Sequence, residues 1–592
     1  MLARLRVLKA ELSFVGGDSL KRAPLIVLFI LFSAGLDLLA VGLVAPFVSL
    51  LMGKNAAMAL FPDWLLRTLG EDPVATLGIA LIVVFTGKAL ATFQLQGTIT
   101  RMSESIRAEL MTRLLGAYQH RPYRFHLDNS STELTNRLVW YTQAFSNGFV
   151  GSGLRLISDC MVFLALGALI ALANILALLL LLIVLSIVFM IVLLYTRHRA
   201  AQLNQSTATM TAEVMHSANQ AIGGLREVRI LGCEDYFLAR LSKAGRGLVD
   251  ASASIAVINL VPRQAIELAM ILFLVALVFF SRMQGASGAA LLPLLGLIGA
   301  AAVRLMPAAT SLLTGITQVR SNRFVVGVLA RDLALEKAAA PSPSPASTSQ
   351  NPAIGSLSLT PADATSTQRF QRLSAEAIAF SYSTDRNTIF ESLSFEIYAG
   401  ETVALIGPSG AGKSTLADLL LGFLDPTAGR VLVNGKDLRG AHRDWQSMVA
   451  YIPQQSYLID DTLRRNVALG VADSEIDDNK VHAALQDAQL GQVLRGLAGG
   501  LDTPLGERGV RFSGGQRQRV SIARALYHDR EFLVLDEATS ALDEETEREI
   551  VETIRSLAGK KTILLISHRE STLAVANRTI SIKPLQKSNS PR

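Results

Sequence analysis

Long apolar runs alternate with basic polar segments over the first half of the chain, and the pattern then changes. The apolar runs cover about 24–52, 74–97, 150–173, 175–196, 257–280 and 287–316. Each supplies at least ~20 residues of helix, enough at ~1.5 Å per residue to cross a ~30 Å hydrocarbon core. The pattern predicts six transmembrane helices. The polar segments after the second and fourth runs carry Arg101, Arg107, Arg113, Arg121, Arg124 and Arg137, then Arg197, Arg199, Arg226, Arg229, Arg240, Lys243 and Arg246. Basic loops collect on the cytoplasmic side, as do Arg4, Arg6, Lys9, Lys21 and Arg22 ahead of the first run. Both ends of the chain are therefore expected in the cytoplasm. The first run is too long for a signal-peptide core. In the first outer loop, Leu60, Phe61, Trp64, Leu65, Leu66 and Leu69 oppose Asp63 and Arg67, which predicts a short interfacial helix.

Residues 336–368 have no periodicity and are rich in Ala, Ser, Thr and Pro, as a flexible linker is. The expected domains are a transmembrane domain over 1–335, this linker, and a soluble α/β domain over 369–592. In the soluble domain, Val403–Ile406 reads as a buried strand and Leu416–Leu421 as a helix. Between them lies GPSGAGKST: Gly407, Pro408, Ser409, Gly410, Ala411, Gly412, Lys413, Ser414 and Thr415. A glycine-rich loop in that position turns backbone N–H groups and a helix N-terminus toward phosphate. Lys413 would meet the β- and γ-phosphates, and Ser414 a Mg²⁺ ion. A second buried strand, Phe532–Leu535, ends in Asp536, a candidate Mg²⁺ ligand, and Glu537, a candidate general base.

Composition supports the membrane reading. Half of the 592 residues are apolar and the mean hydropathy is +0.37. The net charge of +7 suits basic inner loops, and no module that reads nucleic acid is visible. Cys160 and Cys233 have no metal-ligand spacing, and one lies in an apolar run. A disulfide is not expected.

FSGGQ (Phe512–Gln516), the strand LVLDE, SALD (Ser540–Asp543) and His568 in ISH join the glycine-rich loop in a set that resembles the ATP-binding cassette family. The resemblance spans the whole soluble domain. It implies ATP and Mg²⁺ as cofactors, with Tyr382 stacking on adenine and Gln454 sensing Mg²⁺ and the lytic water. It also implies that Ser513, Gly514, Gly515 and Gln516 reach the γ-phosphate from another subunit, that Asp543 communicates across the dimer, and that His568 is the γ-phosphate switch. Phe512 stands where leucine is usual, at a position that packs rather than binds. One loop and one signature per chain imply a half-transporter that dimerises. A homodimer is the simplest form, and a heterodimer with a degenerate partner is the alternative.

Six spans fused ahead of the cassette resemble an exporter of a bacterial-type inner membrane. Lys88, Arg263 and Arg304 interrupt apolar sequence, where a charge is expensive and usually faces a cavity. Counted at ~1.5 Å per residue, Lys88 and Arg304 lie ~21 and ~26 Å below the outer ends of their spans, and Arg263 ~9 Å above the inner end of its span. Three cations at one level suggest a site for a phosphate or pyrophosphate headgroup. Internal pairing with Asp37, Asp159 and Glu267 is the competing explanation. VPRQAIE around Arg263, RLMPAA from Arg304 and YRFHLDNSSTE are similar to the bacterial lipid-linked oligosaccharide flippases of protein N-glycosylation, the PglK-type subfamily. That similarity implies membrane lipids and a lipid-linked glycan as partners. A lipid A-like lipid, a drug or a peptide is the alternative cargo, and an ATP-gated channel is a different class of answer.

Overall fold

A computed structural model describes residues 23–44, 47, 73–283, 288–339, 369–382, 388–440, 442–538 and 544–582. The chain divides into two compact units. One is Met1–Arg121 with Phe125–Pro343, and the other is Pro122–Arg124 with Ser344–Arg592.

The first unit is helical. Its long helices are α1 Ala23–Gly42, α2 Pro73–Gln119, α3 Ser152–Ala173, α4 Ile175–Gly223, α5 Glu234–Met283 and α6 Gly288–Ser321. Helices α2, α4 and α5 have 47, 49 and 50 residues, which makes them about 70–75 Å long. The apolar runs within them stop at about 97, 196 and 257, but the helices do not. Hydropathy reports where the bilayer ends, while the backbone ladder continues into polar sequence rich in Ala, Leu, Arg and Glu.

Five described helices are long and apolar enough to cross a membrane: Pro24–Gly42, Val74–Gln119, Ser131–Leu172, Ile175–Gly223 and Glu234–Phe279. The sixth expected span, 287–316, falls on α6, which is not among those five. The end of the first span beyond 47 and the interfacial stretch up to 72 lie outside the described residues, as do linker residues 340–368. Residues 336–339 continue the helix Arg323–Ala339.

Helices α3 and α4 turn on a single residue. Asn174 is extended, and its side-chain oxygen accepts from Leu176 N and Ala177 N, both at 3.0 Å. This caps α4 where its first N–H groups have no helical partner. Helix α3 then packs along α6, and α4 along α5. Leu166, Leu181, Ile266, Phe273 and Leu313 fill the space between. Between residues 137 and 151 the chain widens into two π-helical stretches, Arg137–Tyr141 and Ala144–Gly151.

The second unit holds two sheets. Strands β1 Arg372–Ser381, β2 Thr388–Tyr398, β4 Ala428–Val433 and β5 Lys436–Asp437 form an antiparallel sheet in the order β2-β1-β4-β5. Strands β3 Thr402–Ile406, β6 Val449–Ile452, β7 Phe532–Asp536, β8 Thr562–Ile566 and β9 Arg578–Ser581 form a parallel sheet in the order β6-β7-β8-β3-β9. The central strands of the parallel sheet are buried along nearly their whole length, as near-continuous apolar sequence requires. Two helices matter below: α7 Lys413–Leu420 after β3, and α8 Gly514–Tyr527.

Candidate functional site

The parallel sheet brings three separated pieces of sequence to one edge. The glycine-rich loop follows β3, Asp536 and Glu537 end β7, and Ser567 and His568 follow β8, which lies between those two strands. Ligands of open α/β sheets bind at this carboxyl edge.

The loop is shaped for an anion. Gly410 and Gly412 have φ of +79° and +90°. A Cβ on Gly412 would lie 2.3 Å from Ile389 Cγ2, and one on Gly407 would lie 2.7 Å from the Ile582 carbonyl oxygen. Glycine is needed at both positions for close approach, and at Gly412 also for its φ. Pro408, Ser409 and Gly410 are exposed and Ala411 is buried. The Lys413 ammonium donates to the carbonyls of Gly407 and Pro408 at 3.0 and 3.1 Å. Those carbonyls hold the charge beside the loop, where phosphate oxygens would compete for it. Thr415 Oγ1 lies 3.2 Å from the Tyr382 hydroxyl, and the Tyr382 ring is exposed at the end of β1.

Asp536 is buried, and burial raises its carboxyl above the usual range. Glu537 adds to the rise, whereas hydrogen bonds from Tyr451 and Ser414 and the charge of Lys413 oppose it. The Tyr451 hydroxyl donates to Asp536 Oδ2 at 3.1 Å. Asp418 on α7 is pushed up to about 6, by burial first and by Asp536 second. Two neighbouring carboxylates with raised pKa values mark a place that a cation would relieve. The donor set fits Mg²⁺, which takes few protein oxygens and completes its shell with phosphate and water. Ser414 and Asp536 would hold it, with Gln454 close by.

Glu537 has φ of +47°, a left-handed conformation for a non-glycine residue, and its N–H donates to the Ile566 carbonyl at 2.8 Å. Such strain costs about 1–3 kcal/mol and gathers at functional sites. Gln454 Nε2 donates to Glu537 Oε2 at 3.3 Å, and His568 Nε2 lies 3.7 Å from Glu537 Oε1. Gln518 of α8 in turn donates to the Gln454 carbonyl at 3.2 Å. The carboxylate stands between Gln454, expected to sense Mg²⁺ and the lytic water, and His568, expected to be the γ-phosphate switch. That arrangement can orient a water and accept its proton.

The signature begins α8. Ser513 caps the helix in a capping box with Gln516, and Phe512 is buried in the core. A Cβ on Gly515 would lie 1.9 Å from Thr546 Cγ2. Among the described residues, no hydrogen bond joins Ser513–Gly515 to Gly407–Thr415. Asp543 lies outside the described residues. Sequence reading missed Tyr451, Asp418 and Gln518. The signal for Tyr451 was its place three residues before Gln454, on a strand that pairs with β7.

In the helical unit, two of the three singled-out cations meet one acid. Asp37 is fully buried, with Lys88 Nζ at 2.8 Å and Arg304 Nη2 at 2.7 Å. The competing explanation named Asp37, and the geometry pairs it with both. Asp159 accepts from the Ser311 hydroxyl. Arg263 is exposed, next to Pro262 inside α5, and forms no ion pair with Glu267 among the described residues.

The ABC transporter transmembrane region family matches residues 27–300, and the ABC transporter family matches residues 390–540. An ATP-dependent lipid A-core flippase of Ralstonia nicotianae is 30% identical over 520 residues, covering 86% of this chain and 82% of its own length. The chain belongs to the ABC transporter family. Another lipid A-core flippase, from Nitrosococcus oceani, is 29% identical over 508 residues and covers 85% of the chain and 80% of itself. A bacterial Atm1-family ABC exporter solved with ATP bound superposes with a TM-score of 0.73 at 24% identity, over 96% of this chain and 94% of that one. This likeness shows the fold. The transporter is thus a membrane-spanning half-transporter of the exporter type whose cassette binds ATP and couples its hydrolysis to transport.

Proposed function

We propose that the transporter is an ATP-driven flippase that moves a phosphate-bearing glycolipid from the inner to the outer leaflet of a bacterial inner membrane, with its cassette in the cytoplasm. The observation that carries the substrate class is the cluster at Asp37. Lys88 and Arg304 share one fully buried acid inside a helical bundle, and cations kept in such surroundings are costly and commonly serve an anion. Two copies of the chain make the working unit, because a loop and a signature that do not meet within one chain complete each other across a dimer. Asp543 takes part at that boundary.

Within this class the first reading is a lipid-linked oligosaccharide pyrophosphate, with Lys88, Arg263 and Arg304 handling the phosphates. It rests on the short matches around Arg263, Arg304 and Tyr123. The second reading is a lipid A-core, which the names of the relatives favour. The test is ATPase stimulation and leaflet transfer in proteoliposomes holding one lipid at a time. Transfer of either lipid supports the class and separates the two readings. Stimulation by neither, with turnover driven instead by peptide or drug, would overturn it.

A further inference from the structure

A polar cavity of about 560 Å³ opens in the helical unit. Its volume is ordinary for a ligand site of roughly 300–1,000 Å³, but its lining is not. Carboxamides dominate it: Gln143, Asn147, Asn259, Gln318 and Asn322, with Trp140 on one side. Ser152, Ser311 and Thr314 add hydroxyls, and Arg155 is the one cation among the lining residues. Neither the cassette chemistry nor the Asp37 cluster uses these amides.

The backbone is built around this space. Trp140 comes from one π-helical stretch, and Asn147 and Gly148 from the other. π-Helical turns are rare and concentrate at functional sites. A Cβ on Gly148 would lie 2.5 Å from Asn322 Nδ2, so glycine lets that amide reach the wall. Asn322 Nδ2 donates to the Gln318 carbonyl at 2.9 Å and to Gln318 Oε1 at 3.2 Å. Asn147 Nδ2 donates to Glu104 at 2.8 Å, which fixes the orientation of its amide. The side chains of Gln143 and Asn259 make no hydrogen bond among the described residues.

A carboxamide both donates and accepts, as a hydroxyl does. The amides therefore match a polyol without adding charge to that of Arg155, and an indole offers an apolar face edged by one donor. These are the properties a sugar requires. The cavity lies where α3 begins, where the apolar run of α5 begins near residue 257 and where α6 ends, the ends that the loop charges assign to the cytoplasm. Along α6, Arg304, Ser311 and Gln318 recur every seven residues on one helical face, and Asn322 follows four residues later, just past the end of the helix. This polar stripe joins the cavity to the Asp37 cluster.

We propose that the cavity is the loading site for the sugars of the transported glycolipid, held by the amides of Gln143, Asn259 and Gln318 against Trp140. The inference rests on the glycolipid reading above. Its test uses the full transporter in lipid nanodiscs and reads ATPase stimulation. The probes are lipid A-core with core-free lipid A, and a polyprenyl-pyrophosphate oligosaccharide with its monosaccharide form. The wild type should respond to one full-length glycan at a several-fold lower concentration than to its trimmed counterpart. Asn259→Leu and Gln143→Leu should each lose about 5–10-fold toward the full glycan and respond to both forms alike, while Asn259→Gln should keep the preference. Thermal midpoints of all variants establish that they fold. A preference retained in both Leu variants, or absent from a stimulated wild type, would overturn the sugar site alone. A wild type stimulated by none of the four lipids would overturn the glycolipid reading as well.

Discussion

Arg304 Nη2 lies 2.7 Å from Asp37 Oδ2, across 267 residues of sequence. Lys88 holds the other oxygen of the same carboxylate at 2.8 Å. Removing the shared acid is more damaging than removing either cation. Asp37→Asn leaves two cations facing each other and should destabilise the transporter by about 3–5 kcal/mol. Adding Arg304→Met to Asp37→Asn removes one of the stranded charges and should recover part of the loss. Thermal melting in detergent checks both. Equal stability of Asp37→Asn and the native chain would show that water, not the carboxylate, solvates the pair.

Glu537→Gln keeps the shape of the side chain and its contact with Gln454 but removes the base. Hydrolysis should fall about 10²–10⁴-fold with ATP binding intact, which filter binding and phosphate release measure separately. Undiminished hydrolysis would reassign the base.

Tyr451→Phe deletes the hydroxyl that donates to Asp536. Losing one such bond, worth about 1 kcal/mol, should raise the Mg²⁺ concentration needed for half-maximal ATPase several-fold. ATP binding without Mg²⁺ should change little. An unchanged Mg²⁺ titration would place Tyr451 outside the cation site.

Asp418 has its folded-state pKa raised to about 6. A carboxyl raised on folding contributes stability below its unfolded value, near 3.9, and loses that contribution as pH rises through about 6. Above that pH the ionised group lowers stability. Asp418→Asn should therefore melt higher than the native chain at pH 7–8, with the difference shrinking toward pH 4. A pH-independent difference would mean that packing, not ionisation, sets it.

Gly412→Ala forces a side chain to adopt φ of +90° and drives its Cβ onto Ile389. Nucleotide binding should be lost. Ile389→Ala added to it relieves only that one contact, leaving Phe390 Cζ 2.8 Å from the new Cβ and the strained φ, so the double variant should stay inactive in equilibrium ATP binding.

The cassette was legible from sequence because its chemistry is carried by short contiguous pieces. Gly407–Thr415, Asp536–Glu537 and Ser513–Gln516 each need one local backbone shape, and local shape is written in neighbouring residues. The long helices were legible only in part. Apolar runs located the segments within the bilayer, whereas α2, α4 and α5 run on for about twice that distance. Nothing in hydropathy marks where a helix stops.

By itself, the sequence determined the membrane class, the phosphate loop and the identity of the cations placed in apolar surroundings. These follow from local composition and from the cost of charge in hydrocarbon. Tertiary structure alone decided that Asp37 serves Lys88 and Arg304 together while Arg263 stands apart, and that amides from residues 143–322 close around one cavity. It also set Tyr451, Asp418 and Gln518 beside Asp536, Glu537 and Gln454. Partners of this kind are chosen by helix packing and strand order, which bring distant residues within hydrogen-bond reach and leave no trace in the spacing along the chain.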